Sequence, residues 1–125
     1  MKTLSKARKL AKQIRENIPP VERKELEAFI QDIQLASCFD NDFHVYVSKG
    51  IEILGLSRKE IVRQFGVSLT TVSRWEKGIS APEPMIRKPI FEWLEDKAVA
   101  LLNKIKLIEE MKLREVVEVL EELAG

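Results

Sequence analysis

Apolar positions recur at helical spacing along most of the chain. Leu4, Ala7, Ala11, Ile14 and Ile18 fall three or four residues apart, and Pro19-Pro20 then ends the segment. Leu26, Phe29, Ile30 and Ile33 repeat the pattern and predict a second helix over about 21–37. Asp40-Asn41-Asp42 marks the next break and offers a cap to the element after it. That element, Phe43-His44-Val45-Tyr46-Val47, reads either as a short strand or as a helix with Phe43, Tyr46 and Val47 inward. Further on, Ser80-Ala81-Pro82-Glu83-Pro84 predicts a loop, with a short turn at Pro84 and a helical restart near Pro89. No proline or glycine then intervenes before Ala124. Ile90, Phe91, Trp93, Leu94, Ala98, Leu101, Leu102, Ile105 and Ile108 form a wide stripe, continued by Met111, Val116, Val117, Leu120 and Leu123. This is either one long helix or two broken near Glu110.

The most informative segment lies between these blocks, at residues 57–78. Ser57 followed three residues later by Glu60 is a capping box, in which each side chain can satisfy the other residue's backbone amide. Ile61 and Phe65, four apart, share the face that must be buried. Gly66 follows as a left-handed helix terminus, Ser68 is a plain N-cap for a second helix, and Gly78 ends that helix as Gly66 ended the first. At 100° per residue Val72 and Trp75 point into the core. The opposite direction carries Thr70, Arg74 and Lys77, with Ser73 at its margin. Short hydroxyls allow a close approach to a major groove, an Arg can bond a guanine edge, and a Lys can neutralise phosphate. The plain alternative is a solvated polar face on a helical hairpin.

Gly66-Val67-Ser68 with Thr71-Val72-Ser73-Arg74-Trp75-Glu76-Lys77-Gly78 resembles the Xre, or phage-repressor and Cro-like, helix-turn-helix family. Leu54-Gly55-Leu56-Ser57 and Pro82 extend the likeness, which covers about residues 43–95. The resemblance implies an all-α fold with a helix-turn-helix core of four to five short helices, and it favours the helical reading of the segment from Phe43. It further implies a sequence-specific transcription regulator that binds double-stranded DNA as a homodimer. Position by position, Arg58 takes the place of a phosphate contact and Ser68 opens the recognition helix. Leu69, Thr70 and Arg74 take base-reading places, Thr71 and Ser73 flank them, and Lys77 lies near the flanking phosphates. Leu69 departs from the polar reader usual there and could touch only a thymine methyl. The family often pairs the Glu at the Glu76 place with an Arg where this chain has Ile51, which leaves Glu76 open to another partner.

Net charge changes the picture once it is divided. The whole chain is only +1, yet residues 1–24 carry +6, 25–56 carry −5, 57–90 carry +4 and 91–125 carry −4. The helical hairpin is therefore basic between acidic neighbours, as an electrostatic footprint on DNA requires. With 45% apolar and 33% charged residues, the chain supports a real core and abundant amphipathic helix. One His (His44) and one Cys (Cys38) offer no metal cluster and no internal disulfide, and no phosphate-cradling glycine loop occurs. Cys38 reads as a core residue and His44 as a partly exposed structural one. No catalytic residue, metal site or cofactor is expected, and the protein is expected to be non-enzymatic, cytoplasmic and without a membrane span.

The expected organisation is an N-terminal helical extension (1–40), a helix-turn-helix DNA-binding domain (41–96) and a C-terminal amphipathic helix (97–125). Lys2, Lys6, Arg8, Lys9, Lys12 and Arg15 make the N-terminus either a basic arm on DNA phosphates or, as its regular stripe favours, an amphipathic helix on the body. The C-terminal helix serves dimerisation or covers N-terminal helices of its own chain, and its apolar content favours the first. Two other functions fit the same residues: the antitoxin of a toxin–antitoxin pair, whose terminal helices mask a protein partner, and a protein-interaction module with a repressor-like fold.

Overall fold

The computed structural model describes residues 8–9, 12, 18–37, 39 and 41–124, and these are all-helical, with no strand among them. The described helices are α1 (Arg23–Leu35), α2 (Phe43–Leu54), α3 (Arg58–Phe65), α4 (Leu69–Lys77) and α5 (Pro84–Ala124). The chain divides into two compact units, Pro19–Ala100 and Met1–Ile18 with Leu101–Gly125.

The larger unit is organised by the stripes seen in the sequence. Leu26, Phe29, Ile30 and Ile33 of α1 are all buried, as are Phe43 and Val47 of α2. The segment from Phe43 is helix rather than strand, and Tyr46, half-buried, donates its hydroxyl to the Asp32 carbonyl of α1 at 3.4 Å. An aromatic group fixes the angles between elements: Phe43 meets Trp75 of α4 edge-on at 5.6 Å and Phe91 of α5 at 5.8 Å. Ile90, Phe91, Leu94 and Ala98 bring the first turns of α5 onto this core. There Gly50 gives way to Leu94, since a Cβ on it would lie 2.8 Å from Leu94 Cδ2.

Several local expectations need correction. α1 stops at Leu35, because Ala36 is already extended, with ψ at 133°. Asp42 takes the position before α2 but its side chain makes no capping bond. Its backbone (φ −102°, ψ 20°) lies away from the extended conformation that aims a cap side chain at the helix amides, and its Oδ1 is buried without a partner. Phe65 is half-buried rather than buried beside Ile61, with its ring edge-on to Trp93 of α5 at 5.4 Å.

The restart at Pro89 does not occur, nor does a break near Glu110. α5 begins at Pro84, where a missing N–H removes no helical bond, and runs unbroken through Pro89 to Ala124. Pro89 cannot donate to the Met85 carbonyl, but Met85 lies on a turn open to water. The buried neighbours Ile90, Phe91 and Leu94 hold that turn helical.

In the smaller unit, Leu101 and Ile108 of α5 are buried, whereas Leu113, Val116, Leu120 and Leu123 are exposed. Arg8, Lys9 and Lys12 are helical and exposed. The N-terminal apolar positions Leu4, Ala7, Ala11 and Ile14 lie outside the described residues, as does Cys38. No described helix is long and apolar enough to cross a membrane.

Candidate nucleic-acid interface

Local chemistry builds the helical hairpin step by step. Ser57 Oγ accepts from the Glu60 amide at 3.2 Å while Glu60 Oε1 accepts from the Ser57 amide at 3.4 Å, so the capping box is closed. Gly66 turns the chain at φ +65°, in the left-handed region that a Cβ disfavours. Ser68 then caps α4, accepting from the Thr71 amide at 3.1 Å. Its hydroxyl also bonds the Thr71 hydroxyl at 2.8 Å, so Thr71 is occupied within the cap rather than presented outward.

The two faces of α4 separate cleanly. Val72 is fully buried and Trp75 is 4% exposed, whereas Thr70, Arg74 and Lys77 are exposed and Ser73 is half-buried. Thr70, Ser73, Arg74 and Lys77 line one open groove of about 460 Å³. Arg58 joins that groove from α3, and Leu69 and Ile79 join it from the two ends of α4. Of the eight residues singled out in the sequence, six meet in this groove: Arg58, Leu69, Thr70, Ser73, Arg74 and Lys77. Ser68 and Thr71 sit beside it as the cap.

Two further contacts set the attitude of α4. Arg58 Nε donates to Glu76 Oε2 at 2.7 Å, linking the first turn of α3 to the last turn of α4. Arg58 takes the place of the absent Arg partner of Glu76, and the carboxylate holds the guanidinium's pKa above its ordinary value through the hydrogen bond first and charge second. From the other side, the Ser48 hydroxyl of α2 donates to the Glu76 carbonyl at 3.0 Å, satisfying one of the helix's terminal acceptors.

Ile79 was not among the residues the sequence marked. The helix closes on Gly78 at φ +72°, with the Gly78 amide donating to the Trp75 carbonyl at 3.2 Å and the Ile79 amide to the Arg74 carbonyl at 3.0 Å. That six-to-one bond seats the following side chain against the end of the helix, and Ile79 is 69% exposed there. An apolar residue directly after a C-terminal glycine was the available signal.

Among the described residues, no group of three or more His, Cys, Asp and Glu side chains gathers as cation ligands would. His44 is half-buried with its ring against Gly78. Comparison with known proteins finds no matching family model, no matching curated protein and no matching solved structure.

Proposed function

We propose that this protein is a sequence-specific, non-enzymatic DNA-binding transcription regulator of the Xre-like type, cytoplasmic, reading the major groove with α4. The observation that carries this reading is the single open groove in which Thr70, Ser73, Arg74 and Lys77 meet Arg58, backed by a face of α4 buried through Val72 and Trp75. Arg74 supplies a planar donor for a guanine edge, Thr70 and Ser73 keep the approach close, and Lys77 and Arg58 face the phosphates. The surrounding +4 charge of residues 57–90 gives the approach its long-range attraction. Dimerisation through α5 brings two such helices to a two-fold site.

The test is selection of binding sites from random duplex DNA with the full-length protein, followed by titration of variants. Arg74→Ala should weaken binding by about 1–3 kcal/mol and relax preference at one position. Lys77→Ala should weaken all sequences alike and lower the salt slope by about one. Retention of every sequence equally, with no response to Arg74→Ala, would sink the reading.

A second reading is favoured by the exposed Leu113, Val116, Leu120 and Leu123, which lie three and four residues apart on α5. Such a stripe suits a protein partner as well as a second copy, which is the arrangement of an antitoxin or of an interaction module. Sedimentation of the purified chain separates these: a monomer that still binds DNA favours the foreign partner.

A further inference from the structure

We infer that Leu69 and Ile79 form a pair of methyl readers, which makes thymine at two positions part of the recognised sequence. The inference rests on the DNA-binding reading above, in which a thymine methyl is what Leu69 could touch, and adds to it Ile79 as a second reader at a limited spacing from the first.

The observations are specific to this groove. Leu69 is 51% exposed and Ile79 is 69% exposed, and both line the same concavity as Arg74 and Lys77. Isolated apolar side chains on a surface need no explanation. These two, however, stand at either end of the helix whose solvent face carries the groove's hydroxyls and cations. Both are placed through the backbone. Leu69 is the first residue of α4, directly after the Ser68 cap, and Ile79 is seated by the bond from its amide to the Arg74 carbonyl. A branched aliphatic chain has no hydrogen bond to offer a base edge or a phosphate. In the major groove the partner it can desolvate is the 5-methyl group of thymine.

The neighbouring groups select the occupant. Arg74 and Lys77, with Arg58 paired to Glu76 beside them, leave a net positive charge around both side chains, which suits a polyanion that presents apolar methyls beside acceptors. The nine residues of α4 rise about 13.5 Å, and beyond Gly78 the chain folds back so that the Ile79 amide bonds the Arg74 carbonyl, which keeps the two side chains within about that span. At about 3.4 Å per base pair this spans about four steps of duplex. The recognised half-site should therefore hold two thymines no more than about four base pairs apart, with the guanine bonded by Arg74 between or beside them.

The experiment replaces each thymine of the selected site, one at a time, by deoxyuridine, which removes only the 5-methyl group. Two substitutions should each weaken binding by about fourfold, the worth of one buried carbon. Leu69→Ala should bind the thymine and deoxyuridine forms of one position equally, and Ile79→Ala those of the other, with helical content unchanged by circular dichroism. If the wild-type protein binds all deoxyuridine forms as tightly as the parent, or if both variants keep the discrimination, the inference fails while the DNA-binding reading stands. Failure of the selection itself, with no enriched sequence and no binding, removes both. Unchanged DNA binding by both variants would assign the two side chains to a protein partner and overturn the inference.

Discussion

Arg58 and Glu76 are joined by a 2.7 Å bond between two helices, 18 residues apart in the chain. The carboxylate is 14% exposed and the guanidinium 52%, so the pair is anchored at one end and open to solvent at the other. Removal of either partner should lower the thermal midpoint. Removal of both should lower it by less than the sum, because each single variant already breaks the bond. A double-mutant cycle with Arg58→Ala and Glu76→Ala at low and high salt reads this coupling. The coupling should shrink with added salt because one end is exposed, and strict additivity at both salts would contradict the arrangement.

Trp75 lies with Val72 on the buried face of α4, 4% exposed and edge-on to Phe43. Trp75→Ala should cost about 3–5 kcal/mol of stability, the range for emptying a buried aromatic site. Urea unfolding at constant slope measures it. A cost below about 1 kcal/mol would mean that the ring is not packed as described.

Gly66 and Gly78 share the left-handed conformation but differ in their surroundings. A Cβ on Gly66 would meet nothing within 4 Å, whereas one on Gly78 would lie 3.3 Å from the His44 ring. Gly66→Ala should therefore cost about 1–2 kcal/mol, the conformational penalty alone. Gly78→Ala should cost more, and His44→Ala in that background should return part of the difference. Equal losses at the two glycines would refute the steric account.

Pro89 stands within α5 and denies the Met85 carbonyl its helical donor. Pro89→Ala should restore that bond and raise stability by about 1 kcal/mol, less than the full penalty of an interior proline. Met85 lies on an exposed turn, and the more flexible unfolded chain offsets part of the gain. A scanning calorimetry midpoint that stays the same or falls would count against it.

Signals that act within four or five residues were legible in the sequence. The reciprocal bonds of Ser57 and Glu60, the cap at Ser68 and the turns at Gly66 and Gly78 depend on local backbone geometry, and the structure has all of them. The inward faces of α1 and α4 followed from a period that any buried helix must obey. What escaped was set by elements meeting in space. The angle between α3 and α4, which no spacing encodes, decides that Glu76 takes Arg58. Packing of Ile90, Phe91 and Leu94 overrides the break that Pro89 would otherwise impose. Asp42 is a good cap by composition, but its backbone is turned away from the required conformation. Ile79 becomes a groove residue only because the helix end it closes is left open to solvent.

The two tryptophans of this chain stand in contrasting surroundings. Trp75 sits dry against Phe43, whereas Trp93 is half-buried, with the Lys97 ammonium 5.5 Å from its ring. Their emission should differ in wavelength and in access to quenchers. Trp75 belongs to the helix that carries Arg74, so its blue component is an intrinsic optical label on that helix. Trp93, which packs on Phe65, reports on the junction of α3 and α5. The wild-type protein can therefore show, without any attached dye, whether the helix that carries the groove loosens before the rest of its unit.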